Sequence, residues 1–90
     1  MKYLVKYTKR HGHVENRYPR KKFFYEEDAE VVYESLIGDI DIRTKTMRKD
    51  LLGRWKRELE AKHEPEEFEK LCTITVVIYS VKQLGEGEIH

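Results

Sequence analysis

The stretch CTITVVIYSVKQ, from Cys72 to Gln83, decides the fold of this chain. It is rich in Thr, Ile and Val, which favour extended backbone, and apolar side chains alternate onto both of its faces. One face holds Ile74, Val76 and Ile78, and the other holds Val77, Tyr79 and Val81. Because strands that are apolar on both sides are typical of a sheet interior, we expect this strand at the centre of a sheet.

The N-terminal segment is predicted to form a β-hairpin. Lys2 to Thr8 contains tyrosines, Leu and Val and favours a strand, and Gly12 within Lys9 to His13 indicates a turn. Val14 to Tyr25 then continues as the second arm. Pro19 in that arm favours an edge position or a bulge, because proline cannot donate to a sheet.

Two segments have helical spacing. Glu26 to Ile37 places four apolar residues on one helical face, has acids in its first turn and is followed by Gly38 as a stop. Met47 to Lys62 repeats apolar residues every fourth position, and its Gly53 suggests close approach to another element. The face of the first helix consists of Ala29, Val32, Tyr33 and Leu36.

The connections are less regular. Asp39 to Thr46 alternates through Ile40 and Ile42, which is compatible with a short strand or with an extended connection. Pro65 cannot lie in a helix interior without cost, so we expect it to start a second helical piece, Pro65 to Leu71.

These elements predict an α+β domain of order ββα(β)αβ. Its three-stranded, or four-stranded, antiparallel sheet is covered on one face by helices 26–37 and 47–71. Residues 1–84 are expected to form the domain and residues 85–90 a flexible tail. The predicted core consists of Val32, Leu36, Leu51, Trp55, Leu59, Ile74, Val76 and Ile78.

Length and composition exclude several classes of protein. Ninety residues make one small domain, too short for separate cofactor and substrate domains. A single cysteine excludes an internal disulfide and favours a reducing compartment, the cytoplasm. No stretch approaches the roughly 18 apolar residues of a membrane span, and no apolar run precedes the first charges. We therefore expect neither secretion nor membrane partners.

The charges are segregated along the chain although the net charge is only +1. Residues 1–25 carry eight bases and one acid, residues 26–41 carry seven acids and no base, and residues 42–62 carry eight bases and three acids. Such blocks are often solvated faces that pair inside the fold. Alternatively, one of them is a basic face that meets nucleic acid or an acidic protein.

The sequence contains no motif typical of catalysis. His11 and His13 flank a glycine, but a structural zinc site usually needs four ligands. Asp39 and Asp41 lack the further ligands of a calcium loop, and Cys72 starts an apolar strand in which an inert, buried thiol is expected. No phosphate-binding glycine loop or nucleophile elbow is present. We expect no catalytic residue, no metal site, no cofactor and no enzymatic activity.

The candidate partner-binding residues lie in the hairpin and in the second helix. Basic residues interleaved with aromatic ones are the general plan of single-strand binders, although a strand with a core face and a solvated face produces the same alternation. Trp55 is expected in the core, with basic residues beside it that could grip an acidic partner. The candidates are Arg10, Arg17, Tyr18, Arg20, Lys21 and Lys22 of the hairpin and Arg54 and Arg57 of the helix.

In size, heavy charge and tyrosine content, the whole chain resembles small proteins made by bacteriophages and mobile elements to bind and redirect a host protein. This resemblance implies a stoichiometric protein–protein modulator, either an inhibitor or an adaptor, with a protein partner. The alternative is a DNA- or RNA-binding protein that uses the basic hairpin.

Overall fold

Three antiparallel strands and two helices form the fold in a computed structural model that describes residues 1–14 and 22–85. The strands are β1 (Lys2–Val14), β2 (Lys22–Glu34) and β3 (Leu71–Gln83), and the helices are α1 (Ile40–Lys62) and α2 (Pro65–Glu69). The sheet order is β2-β1-β3, and the helices pack on one of its faces. The predicted α+β class, antiparallel sheet and N-terminal hairpin are confirmed.

The position of β3 in the sheet differs from the expectation. β1 is the central strand and β3 lies at an edge. The face of β3 toward α1 contributes Val76 to the core, whereas Val77 and Tyr79 are exposed on the other face. The apolar second face of β3 therefore does not indicate a central position, and in the described part of the chain it is left partly exposed.

The hairpin turn is not at Gly12. Gly12 is buried inside β1 and lies opposite Phe24 on one side and Cys72 on the other. Val14, the predicted start of the second arm, belongs to β1, and the second arm is β2, Lys22–Glu34. Residues 15–21, including Pro19, lie outside the described residues.

The predicted helix 26–37 is wrong, because this segment forms most of β2. The register with β1 places Glu26, Glu27 and Glu30 opposite Arg10, Lys9 and Lys6, respectively. Cross-strand pairs of opposite charge stabilise a sheet. The helical spacing of the apolar residues was therefore outweighed by pairing with a complementary neighbouring strand.

Helix α1 contains the predicted helix 47–62 and begins already at Ile40. Asp39 is its N-cap, since the Asp39 carboxylate accepts a hydrogen bond from the backbone N–H of Ile42 at 3.0 Å. The segment 39–46 is thus neither strand nor extended connection. Pro65 starts α2 as predicted, whereas Leu71 already belongs to β3.

The core lies between α1 and the sheet. Met47, Leu51, Trp55 and Leu59 of α1 are buried against Tyr3 and Val5 of β1 and Val76 of β3, with Ile74 and Ile78 packed around them. Two predicted core residues are wrong. Val32 points to the uncovered face and is 39% exposed, and Leu36 lies between β2 and α1 and is 94% exposed.

Two further expectations concern the glycine of α1 and the chain end. A Cβ built on Gly53 would meet only the Arg57 side chain, at 3.7 Å, so Gly53 does not mark close approach to another element among the described residues. Leu84 is buried, and its N–H donates to the Lys2 carbonyl at 2.9 Å. Residues 86–90 of the predicted tail lie outside the described residues. Neither helix is long and apolar enough to cross a membrane.

Candidate functional site

Two of the four basic residues of β1, Lys9 and Arg10, form ion pairs with acids. Arg10 Nε lies 3.0 Å from a Glu26 carboxylate oxygen on the uncovered face. Lys9, on the face toward α1, lies 3.6 Å from Glu27 and 3.4 Å from Glu58. Of the two interpretations of the charge blocks, pairing inside the fold therefore describes this part of the hairpin.

Trp55 belongs to the core, as expected. It is 2% exposed, and its Nε1–H donates to the Arg10 carbonyl at 3.1 Å. The Lys9 ammonium lies 4.8 Å from the indole centroid, within the range of a cation–π contact. The Tyr25 ring stacks at 6.0 Å from the indole. These contacts anchor the middle of α1 to the hairpin and leave Trp55 no free face for a partner.

The titratable groups around Trp55 shift one another's pKa values. The hydrogen bond from the Tyr25 hydroxyl, and then the charge of Lys9, lower the pKa of Glu27, and the same hydrogen bond raises the pKa of Tyr25. The hydrogen bond from Lys62, followed by the charge of Lys9, lowers the pKa of Glu58. Both carboxylates are therefore ionised at neutral pH. Their ion pairs with lysines stabilise the contact between α1 and the hairpin.

The residues considered for metal binding do not assemble a site. The rings of His11 and His63 meet edge to face with centroids 6.4 Å apart. Among residues 1–14 and 22–85, no three His, Cys, Asp or Glu side chains are placed to hold one metal ion. Cys72 is half-buried opposite Gly12.

A shallow depression lies at the middle of the sheet. It has a volume of about 240 Å³ and is lined by Lys6, Asp28, Ala29, Glu30 and Tyr79. Typical ligand pockets measure roughly 300–1,000 Å³ and are mostly apolar. This small, charged depression does not have the character of a small-molecule site.

Free positive charge is concentrated on the solvent side of α1. Five exposed basic side chains of this helix make no ion pair with any described residue. In contrast, Arg54 pairs with Asp50 at 3.0 Å and Lys62 pairs with Glu58 at 2.9 Å. We call these five residues the basic stripe: Lys45, Arg48, Lys49, Lys56 and Arg57.

Three large apolar side chains are exposed in the segment where β2 leads into α1. Leu36, Ile40 and Ile42 are 94%, 67% and 57% exposed, respectively. The exposed Met1 is close by, since its carbonyl accepts from the Ser35 N–H at 2.9 Å. We call these four exposed residues, Met1, Leu36, Ile40 and Ile42, the apolar tip.

Local contacts hold the backbone of the apolar tip in place. Arg43 donates to the Ile37 carbonyl at 3.3 Å, and its guanidinium lies 4.3 Å from the centroid of Tyr3. Because α1 starts at Ile40, Ile42 precedes Lys45 and Lys49 at the spacing that puts residues on one helical face. Ile42 of the apolar tip therefore shares one side of α1 with the start of the basic stripe.

The sequence did not indicate the apolar tip. The helical spacing of residues 26–37 predicts Leu36 on a core face, and the alternation around Ile40 and Ile42 indicates a short strand or an extended connection. The sequence signal that could have revealed the apolar tip is Asp39. An aspartate at an N-cap accepts a hydrogen bond from the backbone N–H three positions later, here that of Ile42. A helix that starts there places Ile40 in its first turn, with no sheet beneath it.

The predicted partner-binding residues do not form one patch among those that are described. Arg10 lies on the uncovered face of the sheet, whereas Arg54 and Arg57 lie on α1 behind it. Lys22 begins β2. The remaining candidates, Arg17, Tyr18, Arg20 and Lys21, lie outside the described residues.

Comparison of the chain with protein-family models, with curated proteins and with solved structures finds no match.

Proposed function

We propose that this protein binds another protein stoichiometrically and alters its activity, with the apolar tip as the anchor of the contact. The observation that carries the proposal is the exposure of Leu36, Ile40 and Ile42 within one short segment. Single exposed apolar residues are ordinary, but a cluster of large ones is typical of interaction sites. Burying them against a partner recovers free energy that folding of this chain leaves unused.

The basic stripe supports this function by selecting the partner. It begins beside Ile42, so that an acidic surface could be steered to α1 and held there while apolar groups pack on the tip. Clustered charge of this kind raises association rates and excludes basic partners. The small size and heavy charge that the chain shares with phage-encoded host-modulating proteins agree with a role as inhibitor or adaptor. The single cysteine favours the cytoplasm as its place of action.

Nucleic-acid binding is the second candidate, and the basic stripe is the observation that favours it. Phosphates would pair with these side chains, and affinity would then fall steeply with salt. Single-strand binders also stack bases on aromatic rings. In the described residues the exposed aromatic rings, Tyr25 and Tyr79, belong to β2 and β3 and not to the stripe. An apolar cluster at the end of the stripe also has little to offer a phosphate backbone.

A pull-down with two matched variants tests the protein-binding proposal. Leu36→Ser with Ile42→Ser removes the apolar tip, and Val32→Ser with Tyr79→Ser removes two exposed apolar residues elsewhere. We expect wild type and the control to retain a defined protein in a fixed ratio, measured by native mass spectrometry, before and after nuclease treatment. The tip variant should lose it while its melting curve stays that of wild type.

Two results would contradict the proposal. Retention that disappears after nuclease treatment would favour the nucleic-acid candidate, particularly if binding of a duplex oligonucleotide falls steeply with salt. Equal retention by the tip variant and wild type would exclude the apolar tip as the anchor.

A further inference from the structure

The outer edge of β3 is unpaired within the described part of the chain and is uncharged over most of its length. β3 lies at the end of the sheet order β2-β1-β3, and among the described residues no further strand or loop pairs with its outer edge. From Leu71 to Val81 the strand contains no charged residue and is rich in Val, Ile and Thr. An edge of this kind is a template for pairing with another strand.

The opposite edge of the sheet has a different character. Of the thirteen residues of β2, six are charged. Charged side chains on an edge strand are a common protection against unwanted strand pairing. They are Lys22, Glu26, Glu27, Asp28, Glu30 and Glu34. Protection of one edge only indicates that the β3 edge is available for pairing.

Irregularities define the part of β3 that can pair. The register with β1 shifts between Lys6 and Tyr7 and again between Arg10 and Gly12, which places extra residues in β3 at each point. Thr73, beside the second shift, has a φ of 54°, a left-handed conformation that is unusual for a β-branched residue. Bulges bend an edge away from partners, so regular pairing is restricted to the segment Thr75–Ile78 and its immediate neighbours.

This segment is complementary to itself. A two-fold axis through Val76 would place Thr75 opposite Val77 of a second copy and Ile74 opposite Ile78. Each of these cross-strand pairs is uncharged and β-branched, whereas pairing two β2 edges would set acids against acids. Pairing β2 with β3 would leave a free edge in every complex and would grow without closing.

We propose that two copies of this chain associate through their β3 edges, antiparallel about a two-fold axis, to form a continuous six-stranded sheet. The exposed Val77 and Tyr79 lie beside this contact and would be partly covered by it. Because the regular segment is short, the interface is small and the dimer is expected to be weak, with a dissociation constant in the micromolar range. This inference does not depend on the apolar tip or on the proposed function.

Sedimentation equilibrium on the full chain, from low micromolar to near-millimolar concentration, tests the dimer. The chain offers a matched pair of variants, because Val77 on β3 and Val32 on β2 point to the same uncovered side and are 40% and 39% exposed. We expect wild type and Val32→Lys to show the same monomer–dimer equilibrium. In Val77→Lys, two ammonium groups would approach each other at the interface, and the dissociation constant should rise about tenfold or more.

A mixing experiment tests whether the two copies meet at this position. Val77→Lys and Val77→Glu should each be mainly monomeric alone, and an equimolar mixture should recover the dimer because the introduced charges attract. Hydrogen exchange on the wild type provides a readout that needs no variant. Amide protection within Thr75–Ile78 should increase with protein concentration, and protection within β2 should not.

The proposal is overturned by a wild type that stays monomeric throughout the concentration range or that assembles beyond a dimer. It is also overturned if Val32→Lys and Val77→Lys have equal effects on association while both retain the wild-type circular dichroism spectrum. The proposal is likewise overturned if hydrogen exchange within Thr75–Ile78 does not change with protein concentration.

Discussion

Gly53 is a residue whose substitution should stabilise the protein. It lies inside α1, where glycine costs about 1 kcal/mol relative to alanine, and an added Cβ would make only an ordinary contact with Arg57. We expect Gly53→Ala to raise the free energy of unfolding by about 1 kcal/mol, or the melting temperature by about 4–8 °C. Urea denaturation measures the change. The reciprocal control, Ala61→Gly, should lower stability, and a destabilised Gly53→Ala would show that the site is more crowded than the structure indicates.

Trp55 is the residue with the largest expected loss. It combines burial, a hydrogen bond to the Arg10 carbonyl and contacts with Lys9 and Tyr25. We expect Trp55→Ala to lower the free energy of unfolding by about 3–5 kcal/mol. Trp55→Phe keeps most of the ring and loses the N–H, so it should lie between wild type and Trp55→Ala in the same denaturation series. An unchanged stability of Trp55→Ala would contradict the core position.

The start of α1 depends on one side chain. The Asp39 carboxylate accepts a hydrogen bond from the Ile42 N–H, which otherwise has no partner within the helix. We expect Asp39→Ala to cost about 1 kcal/mol and to increase hydrogen exchange in the first turn of α1. Asp41→Ala, in the same turn but not at the cap, is the control and should cost less. Equal losses would mean that charge near the helix N-terminus matters more than the cap.

The link between α1 and the hairpin should respond to acid. The pKa of Glu58 is lowered in the folded chain, first by the hydrogen bond from Lys62 and then by Lys9. A carboxyl group with a depressed folded pKa contributes stability above its unfolded pKa, ordinarily 4.5 for a glutamate, and this stability is lost as pH falls through the folded pKa. We expect the unfolding free energy to fall on acidification from pH 4.5, and less steeply in Glu58→Gln than in wild type.

Urea titrations of both proteins at several pH values measure this difference. Glu60→Gln is the control, because Glu60 is an exposed acid of the same helix without an ion pair among the described residues. A Glu58→Gln variant with the same pH dependence as wild type would show that the contact with Lys62 and Lys9 does not contribute.

At the scale of the whole molecule, the segregated charges have two different outcomes. The acids of residues 26–34 lie beside β1, and two of them, Glu26 and Glu27, form ion pairs with Arg10 and Lys9. The bases of α1 face solvent and remain available to a partner. The molecule therefore presents a basic helix on one side and a sheet surface of mixed charge on the other.

The sequence by itself determined those elements whose residue pattern is compatible with only one type of secondary structure. Residues 47–62 repeat apolar positions at helical spacing, residues 72–83 are too rich in β-branched residues for another state, and Pro65 marks a helix start. Together they were sufficient for the α+β class and for most of the α1 side of the core. These signals are local, so neighbours elsewhere in the chain did not change them.

Only the tertiary structure decided the remainder, because it depended on which surfaces meet. Residues 26–34 satisfy helical spacing in isolation, and pairing with the basic β1 made them a strand. Val32 is exposed because it points to the face of the sheet opposite α1, and Leu36 is exposed because it lies in the connection before α1. β1 pairs with β2 on one side and with β3 on the other, so β1 is central and β3 lies at an edge. Spacing along a chain shows which face a residue shares with its neighbours, but burial depends on what packs against that face.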